Sequence, residues 1–339
     1  MTRPRLAACT LLLGLVAAVA VVGLVARGDL EPVQPTHRHR VVLAVRPGEG
    51  LDAVTAALGR DRLVRSGLVF GWYARIRGLP GRLHPGRFVL DRGMGGAEVV
   101  AVLEGPSQPA PRTVTIPDGL TTREVADRLQ AAGLVSAASY RAAVARGRYA
   151  GVPPLPGAPP GSGWEGLCLG DTFQLPAGAS ARQVVALQLQ DFDRHLRRAV
   201  LTGAAAVGLT PYQVVVLASI VGAEAPSAHD RQRVAGVFLN RLRRGMPLQS
   251  DVTVLYALAR AGLRPARPLQ TSIASPYNTY VHRGLPPGPI ANPGVSAVEA
   301  VLHPIRSADL FFVALPDGRV LYAATLQLHQ RQVQQAGLG

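Results

Sequence analysis

Residues 210–226 read TPYQVVVLASIVGAEAP. Thr210 offers the hydroxyl of a helix N-cap, and Pro211 suits the first helical position because its missing N–H has no partner to lose there. Val214, Val215, Leu217, Ala218, Ile220 and Val221 then make the segment apolar nearly all round. A helix without a polar face has to be enclosed by other elements, so this one predicts the centre of a core. Glu224 closes it, just before Pro226 stops it. A carboxyl ending an apolar helix is poorly hydrated, which raises its pKa and suits it to donate a proton.

Toward the C-terminus, 229–244 predicts a second helix with Val234, Val237, Phe238 and Leu242 on one side, ended by Gly245. Asn240 lies on it and is placed toward a site. Two polar clusters follow, Gln249-Ser250-Asp251 and Ser275-Pro276-Tyr277-Asn278-Thr279-Tyr280. Such a density of amides, hydroxyls and phenols suits a polyhydroxylated ligand, and it equally suits plain turns. GLPPGPI (284–290) is rigid loop chemistry; Val298–Leu302 returns to helix, and Pro316-Asp317-Gly318 between apolar runs predicts a hairpin. His282, His303 and His329 are too widely spaced for a metal motif.

Toward the N-terminus, 180–201 is helical, and GVPPLPGAPPGSG (151–163) cannot hold regular structure. A partial repeat precedes it. Val45, Gly48, Val54, Leu58, Leu63 and Val64 recur 71 positions later as Ile116, Gly119, Val125, Leu129, Leu134 and Val135. A strand, a glycine turn and an amphipathic helix therefore occur twice. Leu6–Ala26 is uncharged for 21 residues, long enough as a helix (about 32 Å) to span a bilayer. It ends in a poor signal-peptidase site, which favours a retained single-pass anchor.

The chain has 339 residues and a net charge of +15, and all 36 basic residues are arginine. The absence of lysine removes P-loop, Schiff-base and Ser-Lys chemistry. The arginines are scattered and no nucleic-acid-binding motif accompanies them, so the charge identifies no partner by itself. Two cysteines exclude a disulfide framework.

LASIVGAEA (217–225), VAGVFLNRLRRGMPLQSDVTVLYAL (234–258), SPYNTYVHRGLPPGPIANPG (275–294) and ADLFFVALPDG (308–318) together resemble the YceG-like, or MltG-type, membrane-anchored endolytic murein transglycosylases. The resemblance implies an α+β fold: a tail (1–5), an anchor (6–26), a linker (27–39), a LysM-like subdomain (40–105), an intermediate region (106–205) and a catalytic domain (206–339). It implies Glu224 as the catalytic acid and base, with Asn240, Gln249, Asp251, Tyr277, Asn278 and Thr279 as sugar contacts, and no metal or cofactor. The bond cut is that between N-acetylmuramic acid and N-acetylglucosamine, leaving a 1,6-anhydro end.

The implied partners are peptidoglycan glycan strands, the cytoplasmic membrane and peptidoglycan synthases, without nucleic acid. The catalytic domain is expected outside that membrane, where cleavage would terminate strand elongation. The family's ASIVEKE-like motif has its first acid replaced by Gly222 and its lysine by Ala223, and Leu167–Phe173 reads LCLGDTF rather than LFPDTY. Two alternatives stay open: a muramidase-type hydrolase using Asp251 or Asp230 as second carboxylate, and an inactive glycan-binding scaffold.

Overall fold

The first strand of the repeat forms at Arg40–Val45 and begins an arrangement that the chain uses twice. The computed structural model describes residues 27–34, 40–107, 111–266 and 268–337, in two compact units divided after Pro111. In the first unit β1 (Arg40–Val45) leads through α1 (Leu51–Arg60) and α2 (Gly67–Ile76) to β2 (Gly86–Asp91), and α3 (Gly96–Glu104) follows. The strands pair antiparallel, with Val42 opposite Val89. Leu43, Val54, Leu58, Leu63, Phe70, Phe88, Leu90 and Leu103 fill one core between sheet and helices. Leu30 packs against that core, and its carbonyl accepts the Gly96 N–H at 2.7 Å.

The second unit opens the same way. β3 (Arg112–Ile116), α4 (Thr122–Ala131), α5 (Ala137–Arg146), β4 (Asp171–Leu175) and α6 (Ala181–Phe192) repeat the order, and β3 pairs antiparallel with β4. The equivalent glycines Gly48 and Gly119 have φ of +80° and +81°, a left-handed turn that a side chain would strain. Leu58 and Leu129 are both wholly buried. The repeat thus includes the second helix and second strand, which the matched sequence positions did not reach. The second helix begins 70 rather than 71 positions later, and the long proline- and glycine-rich insertion displaces β4 further, so a fixed-offset comparison misses both.

Beyond α6 the helix continues through one π turn, Asp193–Arg197, into α7 (Arg198–Gly203). Next come α8 (Pro211–Glu224), α9 (Ala228–Arg243), α10 (Asp251–Arg260), α11 (Val295–Leu302), the hairpin β5 (Phe311–Ala314) and β6 (Val320–Ala323), and α12 (Leu326–Gln335). With three antiparallel strand pairs among helices in the described residues, the fold is α+β. Thr210 caps α8 as predicted: its Oγ1 accepts from Gln213 N, and Gln213 Oε1 accepts from Thr210 N at 2.9 Å. Residues Val214 to Val221 of α8 are buried without exception, against α9 and α11. One apolar cluster runs from Val114 to Leu302, so residues 112–205 and the helices after 206 share a single core.

The proposed anchor at 6–26 lies outside the described residues. Among those described, no single helix is long and apolar enough to cross a membrane. The pair Ala181–Val207 and Pro211–Glu224 passes together but is bent by 93°, and its apolar residues build the core.

Candidate active site

Burying α8 along its length delivers Glu224 to the edge of the core, where the helix stops and Ala225 turns extended. The carboxyl opens on a cleft of about 490 Å³. Arg241, Leu248, Gln249, Asp251 and Tyr280 line one part of it, and Phe311–Ala314, Leu326 and His329 the other. Burial pushes the Glu224 pKa up, and the negative charge of Asp251 adds to the effect. Ser250 Oγ donates to Glu224 Oε1 at 2.5 Å and works the other way, favouring the ionised form. The clamp fixes one carboxyl oxygen, and the Val252 backbone N–H also favours the ionised form.

The clamp is itself held from behind. Ser250 N donates to Thr279 Oγ1 at 3.0 Å, and Gln249 N donates to the Thr279 carbonyl at 3.1 Å. Thr253 and Thr279 share a hydroxyl pair at 2.9 Å, and Thr253 Oγ1 donates to the Ser250 carbonyl at 2.7 Å. Gln249 has φ of +52°, a conformation costly for a residue with a side chain. It is retained where the turn must present Ser250 to Glu224. Tyr280 OH donates to Asp251 Oδ1 at 2.5 Å, and burial followed by this carboxylate pushes the phenol's pKa above its ordinary value.

Arg241 supports the same turn. Its Nε donates to the Leu310 carbonyl at 2.6 Å, and Nη1 to the Leu248 carbonyl at 2.7 Å and Gln249 Oε1 at 3.2 Å. One guanidinium thereby ties α9, the turn before α10 and the strand entering β5. Its carbon lies 5.0 Å from the Phe311 ring centre, and His329 stacks on the same ring at 5.3 Å.

Of the residues chosen from sequence, the structure brings Glu224, Gln249 and Asp251 together on the cleft. It places four elsewhere. Asn240 Nδ2 donates to the carbonyls of Ser307 and Asp309, at 2.9 and 2.8 Å, and so fastens α9 to the segment before β5. Asn278 is wholly buried, its Nδ2 donating to the Thr271 and Ile273 carbonyls while Oδ1 accepts from Tyr280 N. Thr279 is 2% exposed and acts behind Ser250. Tyr277 packs on Tyr256, 4.9 Å between ring centres, with Arg260 over it. Polar side chains in irregular loops read alike whether they face a ligand or close a turn, and these four close turns or pack inward.

Tyr280, expected from sequence as part of the site's wall, does line the cleft, whereas Ser250 and Arg241 are supporting residues that the sequence did not assign to the site. Ser250 stood inside a quoted polar cluster; Arg241 was hidden among surface arginines. Among the described residues no group of three or more His, Cys, Asp or Glu is close enough to hold a metal ion.

A two-unit α+β protein whose central buried helix delivers one clamped carboxyl to an open cleft is the class defined by fold and site. The chain belongs to the YceG-like family, whose model matches residues 43–335. It is similar to an endolytic murein transglycosylase of Streptococcus pneumoniae serotype 2 (strain D39), with 29% identity over 331 residues, 90% of this chain and 60% of that one. The chain thus spans about 60% of the length of that relative. An endolytic murein transglycosylase of Bacillus subtilis (strain 168) is 46% identical over 122 residues, 35% of this chain and 33% of its own length. A crystal structure of a yceG-like protein from Listeria monocytogenes superposes with a TM-score of 0.56 at 25% identity, covering 87% of this chain and 100% of that one.

Gly222 and the Leu167–Phe173 segment have local explanations, and nothing in the structure explains Ala223. A Cβ at Gly222 would stand 3.2 Å from the Ala297 Cβ, so glycine admits close packing of α8 on α11. Leu167, Cys168 and Leu169 are core residues, and a Cβ at Gly170 would meet the Ile116 carbonyl at 2.6 Å. Neither segment lines the cleft of Glu224.

Proposed function

We propose that the protein is an endolytic lytic transglycosylase of peptidoglycan, cleaving the β-1,4 bond between N-acetylmuramic acid and N-acetylglucosamine within glycan strands. The observation that carries this is the Glu224 carboxyl: poorly hydrated, raised in pKa and clamped by Ser250 at the rim of a cleft. Glycoside hydrolysis ordinarily needs two carboxylates, one to protonate the leaving oxygen and one to attack or activate water. A transglycosylase needs one, because the substrate supplies the nucleophile. Protonated Glu224 donates its carboxyl proton to the glycosidic oxygen as the C1–O bond breaks. The resulting carboxylate then takes the proton of the muramyl 6-hydroxyl, whose oxygen closes the 1,6-anhydro ring on C1. The step is intramolecular, so positioning supplies much of the acceleration.

Asp251 fits a supporting part. Held by Tyr280, its carboxylate keeps the Glu224 proton in place and lends negative potential to the oxocarbenium-like centre. Asp230 is occupied elsewhere: Oδ2 accepts from the Ser227 hydroxyl and Oδ1 from Tyr322 OH at 3.0 Å. This favours the single-acid mechanism over a hydrolase employing Asp230.

Residues 6–26 would anchor the chain in the cytoplasmic membrane with the catalytic unit outside, and residues 40–105 would serve as a LysM-like module. Synthases extending the strands are the partners whose product the enzyme would cut. The test is incubation of wild type and Glu224→Gln with uncrosslinked glycan strands, followed by mass spectrometry. Anhydro-ended fragments from wild type alone are expected. Equal products from both would overturn the role of Glu224, and none from either would favour a glycan-binding scaffold.

A further inference from the structure

Helix α2 of the first unit, GLVFGWYARI, buries Phe70, Gly71 and Ala74 and turns another face to solvent. On that face stand Leu68, Trp72 and Ile76, exposed by 73%, 63% and 81%. Spaced four apart, they form one continuous stripe along the helix. A stripe of leucine, tryptophan and isoleucine left in water on a small unit marks a contact surface rather than chance exposure.

Charge around the stripe indicates what covers it. Residues 60–82 contain six arginines (60, 62, 65, 75, 77 and 82) against one acid, Asp61. Arg75 is paired with Asp52, and Arg82 with Glu104. Among the described residues, no carboxylate forms an ion pair with Arg60, Arg62 or Arg77, which are all exposed. An apolar stripe carrying tryptophan, bordered by unpaired arginines, is the pattern of a helix lying in a membrane interface. Tryptophan favours the headgroup level, and arginine reaches phosphate while its stem stays in the apolar layer. The chain outside the described residues favours the same surface. The uncharged run 6–26 ends four residues before Leu30, which is fastened to this unit's core.

We infer that α2 docks on an anionic lipid bilayer, with Leu68, Trp72 and Ile76 inserted at the headgroup–acyl boundary and Arg60, Arg62 and Arg77 on lipid phosphates. Insertion would be about 5–10 Å deep. The surface belongs to the first unit alone and stands whether or not Glu224 cleaves glycan. Its consequence is orientation: it would fix how the first unit meets the membrane instead of leaving it on a free tether.

Trp72 and Trp164 are the only tryptophans, and Trp164 is buried. Full-length protein is therefore reconstituted into bilayers of phosphatidylcholine, with or without phosphatidylglycerol, that carry bromine either near the headgroups or at the chain ends. Shallow bromine in anionic bilayers should quench the Trp72 emission about twofold more than deep bromine does. Trp72→Phe should abolish the difference, and Leu68→Ser/Ile76→Ser, which retains the fluorophore, should reduce it by more than half. Emission indifferent to bromine at both depths would overturn the inference. So would emission that responds to added glycan strands, or to protein concentration through self-association, and not to lipid.

Discussion

Thr279→Val separates a residue that holds the site from one that touches sugar. Valine nearly preserves the shape but removes the hydroxyl that accepts Ser250 N–H at 3.0 Å and pairs with Thr253 at 2.9 Å. Ser250 is 2% exposed, so its N–H is left without an acceptor or water. Thr253 still donates to the Ser250 carbonyl, so it keeps a partner. Stranding one buried donor costs about 1–3 kcal/mol. Taking about 2 kcal/mol, and about 2–4 °C per kcal/mol for a unit of this size, Tm should fall by about 4–8 °C. Because the turn also aims Ser250 at Glu224, kcat should fall about tenfold with KM little changed. Thr279→Ser, which keeps the acceptor, should recover most of both. Thermal unfolding and steady-state cleavage of glycan strands measure the pair. A raised KM with unchanged Tm would refute the structural role and restore Thr279 as a sugar contact.

Three further outcomes follow from the same geometry. Ser250→Ala removes a donor that favours the Glu224 carboxylate, so the basic limb of the pH profile for kcat/KM should move to higher pH; an unmoved or lowered limb would contradict the clamp. Glu224 has a raised folded pKa, so the folded state binds more protons than the unfolded one above the ordinary carboxyl value of 4.5. Its contribution to stability is present at low pH and lost as pH rises through the folded pKa. Glu224→Gln lacks that loss, so the variant's Tm advantage should grow from acid to neutral pH, and a gap constant with pH would refute the burial argument. Asn292 is 2% exposed; its Oδ1 accepts from Gly166 N and Cys168 N, and its Nδ2 donates to the Leu120 carbonyl. Asn292→Ala should cost about 3–5 kcal/mol in urea unfolding, and a loss under about 1 kcal/mol would show that water replaces it.

The elements most legible in the sequence are those whose signal is local. The Thr210-Pro211 start and all-round apolar pattern of α8 located the core, and its end located Glu224. The 71-position match located β1 with α1 and β3 with α4, because a left-handed glycine and wholly buried leucines recur at one spacing. What the sequence left hidden depends on orientation. Asn240, Asn278 and Thr279 have the same chemistry as sugar-binding residues, but their partners lie 67, 7 or 29 positions away, and only folding shows that those partners are protein. Arg241 differs from its neighbour Arg243 in falling on the inner side of α9, where the backbone carbonyls of Pro247, Leu248 and Leu310 converge on it.

The central claim is that one carboxyl suffices because the substrate attacks itself. The most direct measurement is cleavage of uncrosslinked glycan strands in heavy-oxygen water, with mass spectrometry of the new muramyl ends. Ring closure by the 6-hydroxyl takes no oxygen from solvent, so the account predicts unlabelled anhydro ends that vanish with Glu224→Gln. Reducing ends carrying one solvent oxygen would show that water is the nucleophile and contradict it.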